Sequence, residues 1–310
     1  MRQTMVKLGL LMMVLILSIT TSCSASTAGI VDETGDALQV EEEKVEPQPE
    51  PIQEAAVEIL TDAFIEMEFT TADGRTLQGT YFPASVSPAP LVIMMHWAPG
   101  DQSDMRELAY WLQNRGFSDS QTNDFSGKPW LDPSWFPQLE KERSYAVFTF
   151  TFDGCEGGCK SFERAKWLLD AQAAVEAAYN LEGIDPTRIV TLGASIGADG
   201  AADGCAYLNA SNPGSCLGAF SLSPGDYLTL RYTDVMEELH AFEPAVITYC
   251  LYATGDTESA TTCQSVAANA AGEIIAYEGN FHGLMLVQPN LDHDSMALMI
   301  EFLNVTIEEK

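Results

Sequence analysis

"IVTLGASIGADGA", residues 189–201, runs from β-branched and apolar residues into two glycines flanking one serine, and then into small residues that suit a helix. The reading is a strand, a sharp turn and a helix, with Ser195 at the apex. The pattern G-x-S-x-G alone does not decide this. It arises by chance in roughly one chain in ten of this length, because glycine and serine are common. The flanking elements have to decide.

Upstream, "AFIEMEFTTADGRTLQGTYFPAS" (63–85) reads as two strands joined by an Asp73-Gly74 turn. "PLVIMMH" (90–96) is a continuous apolar run, as expected of a strand buried on both faces. An amphipathic helix follows within "SDMRELAYWLQNRG", then the strand "YAVFTFTFDG" (145–154), then a helix in which Leu168, Ala171, Val175 and Ala178 fall at helical spacing. Downstream, 216–224, 245–256 and 273–283 read as strands, with helices over 226–242 and 261–272 between them and a terminal helix over 294–307. Strands alternating with helices of this length give a mostly parallel sheet covered on both faces.

That order places Ser195 at the end of a strand and the start of a helix, where a nucleophile elbow holds its serine. Side chains at Gly193 and Gly197 would collide with neighbouring backbone in so tight a turn. The following helix N-terminus supplies a positive dipole end and the Ile196 N–H. A serine nucleophile needs a base and a group that orients the base. Asp256 ends the strand of 245–256, and His282 follows the last strand in "NFHGL", so both emerge at the carboxyl edge with Ser195. His293, in "LDHDS", competes as the base or as a metal ligand with Asp292 and Asp294; His282 is preferred because it directly follows a strand and precedes Gly283. Asp226 competes as the acid. His96 reads as structural and His240 as part of a helix face.

"LVIMMHWAPG", "TFDGCEGG", "DPTRIVTLGASIG", "YATGDTES" and "NFHGL" occur in the order found in the α/β-hydrolase family, and the chain resembles its dienelactone-hydrolase-like and serine-aminopeptidase-like branches from about residue 60 to 305. The resemblance implies an α/β-hydrolase fold and a serine hydrolase acting on an ester, or secondarily a small amide, with catalytic Ser195, Asp256 and His282 and no cofactor or metal. It implies Ile196 and Ala98 as the oxyanion donors, with Trp97 as the fallback. Trp97 stands where the family usually has glycine, so the loop is altered. Trp97, together with Trp130 and Trp135 of the long 118–144 connection, forms the set of candidate substrate-binding side chains. That connection reads equally as a lid or as a surface excursion packed by its own aromatics. Two other classes fit the same scaffold: an inactive binding lipoprotein and an acyltransferase.

The chain's ends and composition bound the setting. Arg2 and Lys7 precede the apolar stretch 8–19, and "TTSC" ends at Cys23, so residues 1–23 read as a signal peptide with a lipobox-like end. The expected outcome is export, with a lipid anchor on Cys23 as membrane partner; a plain secretory cleavage near Ala25 is the alternative. Residues 24–55 are acidic, proline-bearing and poor in aromatics, the composition of a disordered spacer. Residues 56–310 form the domain. A formal net charge of -30 argues against nucleic acid as a partner. Besides Cys23 there are six cysteines, in three sequence-close pairs, and in an exported chain these imply disulfides. Nearest-neighbour pairing is the simplest of fifteen connectivities, and the sequence does not choose among them.

Overall fold

A computed structural model describes residues 62–119, 125–266 and 271–308; the signal-like segment and the whole acidic spacer lie outside them. The hairpin β1 (Ile65–Thr70) and β2 (Thr76–Phe82) pairs antiparallel, with Thr70 opposite Thr76 across the Asp73-Gly74 turn. It forms one edge of an eight-stranded sheet in the order β1-β2-β4-β3-β5-β6-β7-β8. The other strands are β3 (Ala89–Met95), β4 (Ala146–Phe150), β5 (Ile184–Ala194), β6 (Cys216–Leu222), β7 (Ile247–Ala253) and β8 (Gly272–Tyr277), and all six are parallel.

Alternation along the strands sorts their side chains into two cores. Leu91, Ile93 and Met95 face one layer, made by α2 (Arg164–Tyr179), α3 (Ile196–Ser211), α4 (Tyr232–Ala241) and α5 (Thr257–Ser265). Val92 and Met94 face the other, closed by α1 (Arg106–Gln113) and α6 (Ser295–Leu303). With both faces covered, the strands become the near-continuous apolar runs seen in the sequence. The chain leaves β3 towards β4 on one side and returns to β5 on the other, so a crevice opens beyond the carboxyl ends of β3 and β5. Ligand sites of open α/β sheets lie at such switch points.

Two helix boundaries differ from the expectation. The helix expected from Asp226 begins at Tyr232, because the buried Asp199 carboxylate takes the N–H groups of Gly225, Tyr227 and Leu228 and holds them out of a helix. The helix expected over 261–272 starts earlier, directly after Asp256, and runs Thr257–Ser265; residues 267–270 of the expected span lie outside the described residues. Disulfides join Cys155 to Cys159, Cys205 to Cys216 and Cys250 to Cys263. Among the described residues, no helix is long and apolar enough to cross a membrane.

Candidate active site

Ser195 lies between β5 and α3 with φ 54° and ψ -119°, a strained conformation for a residue with a Cβ. The two glycines make it attainable. A Cβ on Gly193 would stand 1.8 Å from the Gly197 carbonyl oxygen, and one on Gly197 would stand 2.2 Å from that of Met95. The Ser195 N–H donates to Leu222 O at 2.8 Å, which pins the turn to the end of β6.

His282 meets the serine from the far side of the sheet. Its Nε2 stands 2.8 Å from Ser195 Oγ, and its Nδ1 stands 2.6 Å from Asp256 Oδ2. A carboxylate only accepts, so Nδ1 carries the proton and Nε2 is left to accept from the serine hydroxyl. The loops bearing the acid and the base are joined to each other, Thr254 N–H donating to Tyr277 O and Gly255 N–H to Gly279 O. Ser195 is 4% exposed, whereas the His282 side chain keeps 32% of its surface open, so the base forms the accessible rim.

The loop after β3 is organised by His96, which is fully buried. Its Nε2 accepts from the Phe152 N–H at 3.0 Å, so its proton sits on Nδ1 and is donated to Trp97 O at 2.8 Å. Burial holds this imidazole neutral, with its pKa pushed down to about 4. Trp97 O also accepts from Gly100 N–H. In a trans peptide the carbonyl and the following N–H point opposite ways. Holding Trp97 O therefore aims the Ala98 N–H away from His96. Neither that N–H nor the Ile196 N–H at the start of α3 has a partner among the described residues.

Trp97 is itself buried, its indole N–H donating to Asp104 Oδ2 at 2.7 Å and its ring meeting Trp130 edge-on. Trp130 is buried as well, and Trp135 is half-buried, donating to Pro129 O. Trp135 and Phe136 pack on each other, and Phe136 also packs on Trp111 of α1. A groove of about 580 Å³ lined by Arg164, Asp226, Thr257, Glu258, Thr261 and Thr262 runs along the start of α5, and none of Ser195, Asp256 and His282 lines it.

The remaining candidates stand elsewhere. His293 is exposed and rests its ring on Tyr277; Asp292 accepts the Glu278 N–H, and Asp294 caps α6. Asp226 accepts the Tyr232 N–H at the start of α4, and His240 bonds Thr248.

No protein-family model matches the chain. A curated protein of Escherichia coli K12, "Uncharacterized protein YfhR", is 31% identical over 133 residues, which is 42% of this chain and 38% of that protein. Two solved structures resemble it over most of their length. Esterase Pf2001 of Pyrococcus furiosus matches with TM-score 0.51 and 16% identity over 78% of this chain and 90% of its own. Dienelactone hydrolase of Anabaena variabilis matches with TM-score 0.52 and 12% identity over 79% of this chain and all of its own.

The chain has the α/β-hydrolase fold.

Within this hydrolase fold the sequence reading overlooked two residues. Ser223, with φ 56°, accepts the Gly283 N–H on its Oγ at 2.9 Å and so fixes the residue after His282. Asp199, in the first turn of α3, is fully buried, and burial pushes its carboxyl up to about 7 against the pull of three N–H groups. A signal for Asp199 did exist: "IGADGAADG" places two aspartates at i and i+4 in a helix otherwise built of small apolar residues. Ser223 left none, since nothing distinguishes its hydroxyl from those of Ser221 or Ser215.

Proposed function

We propose that the protein is a serine hydrolase that cleaves a carboxylic ester, with a small amide as the second choice. The observation that carries this reading is the unbroken chain from Ser195 Oγ through the His282 imidazole to Asp256, at 2.8 and 2.6 Å. His282 Nε2 takes the hydroxyl proton as Oγ bonds to the acyl carbon, and the carbonyl oxygen becomes an oxyanion held by the N–H groups of Ile196 and Ala98. Collapse expels the alcohol, which takes the proton back from His282. Water, deprotonated in turn by His282, then frees the acid and restores Ser195. Asp256 keeps the imidazole in the required tautomer and stabilises the imidazolium.

For location, the segment 1–23 and the three disulfides support export with a lipid anchor on Cys23. A fluorophosphonate probe should label the wild type and not Ser195→Ala, and p-nitrophenyl esters should be hydrolysed by the wild type alone. An unlabelled, folded wild type would overturn the enzyme reading. Mass spectrometry of the mature N-terminus should find a lipidated Cys23, and an unmodified end beyond it rules the anchor out.

A further inference from the structure

The segment 223–228, between β6 and α4, touches the base from two sides. Ser223 Oγ accepts the N–H of Gly283, the residue after His282. The Tyr227 ring meets the His282 ring edge-on, with centroids 6.1 Å apart. The same segment is strained, since Ser223 and Asp226 both have φ near +56° without being glycine. A strained loop keeps its shape only where its surroundings over-determine it. Ser223 N–H on Leu251 O, Tyr232 N–H on Asp226 and Arg164 Nε on Tyr227 O supply part of that constraint, and one side chain ties the middle of the loop: the buried Asp199 carboxylate accepts from Gly225 N–H (3.0 Å), Tyr227 N–H and Leu228 N–H (3.3 Å). Asp199 belongs to α3, the helix that begins at the nucleophile.

We propose that Asp199 is a positioning residue for His282: it ties the strained 223–228 loop to the nucleophile's own helix, so that the base and the serine are held as one unit. The proposal rests on the triad reading for its effect on turnover, but the geometry it asserts can be measured without turnover. Asn at 199 keeps the shape and one acceptor while removing the charge. In Asp199→Asn with wild-type circular dichroism, kcat should fall at least tenfold with KM within a few-fold. The downfield Nδ1 proton resonance of His282, produced by its short bond to Asp256, should broaden or shift. Wild-type kcat with an unchanged His282 resonance overturns the proposal, and so does lost turnover with the resonance unchanged. Should the variant not fold, amide exchange in the wild type decides: slow exchange at Gly225, Tyr227 and Leu228 supports the proposal, and exchange at the rate of an open loop overturns it. If instead Ser195→Ala retains hydrolysis, the triad reading falls while the resonance and exchange results still stand.

Discussion

At the scale of single residues the chemistry depends on where protons sit. If Ser195, His282 and Asp256 act as a unit, Ser195→Ala and His282→Ala should each remove nearly all of the triad's contribution, and the double variant should be little worse than either in kcat. Asp256→Asn should fold normally and lose up to ~10⁴-fold in kcat, because the amide no longer selects the Nδ1–H tautomer. His293→Ala is the control and should keep near wild-type turnover, since its exposed ring only rests on Tyr277. His96 is the more searching position. His96→Phe fills similar space but leaves Phe152 N–H buried without its acceptor and Trp97 O with only the Gly100 N–H. The orphaned N–H costs about 1–3 kcal/mol. Releasing the Trp97–Ala98 peptide should also lower kcat by an amount approaching the roughly 10²–10³-fold loss of an oxyanion donor. Thermal melts and steady-state kinetics on one preparation check both.

At the scale of elements the three disulfides are not equivalent. Cys250–Cys263 pins α5 to β7, and Cys205–Cys216 pins α3 to the start of β6. Loops of this size are worth roughly 3 kcal/mol each in the chain-entropy model. Cys155–Cys159 closes a short turn whose Cys159 N–H donates to Ala98 O at 2.8 Å, while Gly158 sits so close to Pro99 O that a Cβ would stand 2.9 Å from it. That turn is the wall behind the candidate oxyanion loop. Replacing both cysteines of 250/263 by alanine should therefore lower Tm with kcat largely kept. The same change at 155/159 should lower kcat more than Tm. Thiol titration of the unfolded, unreduced domain should find none of these six free.

At the scale of the whole molecule, buried ionisable groups set the response to pH. Burial pushes the Asp170 carboxyl up to about 6 and that of Asp199 to about 7, and raises Asp203, which also faces the charges of Asp199, Glu238 and Asp226. A carboxyl with a raised folded-state pKa binds more protons folded than unfolded. Its contribution is complete below about 4 and is lost as pH rises through the folded value. His96 acts oppositely: its folded pKa is about 4, so its contribution is complete above the ordinary histidine value and is lost as pH falls towards 4. Three carboxyls outweigh one imidazole, and acidification also relieves the self-repulsion of a chain with formal charge -30. Tm should thus be higher at pH 6 than at pH 8. Asp203→Asn, at a site whose Oδ2 has no partner among the described residues, should reduce the difference between pH 6 and pH 8. An unchanged difference would show that Asp203 does not contribute to it.

What the sequence determined by itself was local and periodic. Apolar runs of strand length, helical spacing such as that of Leu168, Ala171, Val175 and Ala178, and the Asp73-Gly74 turn specify the elements and their alternation, and alternation restricts the sheet to a mostly parallel one. The glycines at 193 and 197 mark a turn where no Cβ fits, so the place of Ser195 was legible too. Asp256 and His282 were readable as residues at strand ends, because parallel strands bring such ends to one edge. Only the tertiary structure decided what lies across that edge. It set Asp226 at a helix start and His293 on the surface, while Trp97 and Trp130 were turned into a buried pair. It also delayed the start of a helix to Tyr232, because Asp199, a distant residue in sequence, bonds the backbone that local propensity alone would have wound. Backbone N–H groups take whichever buried acceptor reaches them first, and which one reaches them is a property of packing that no window of sequence contains.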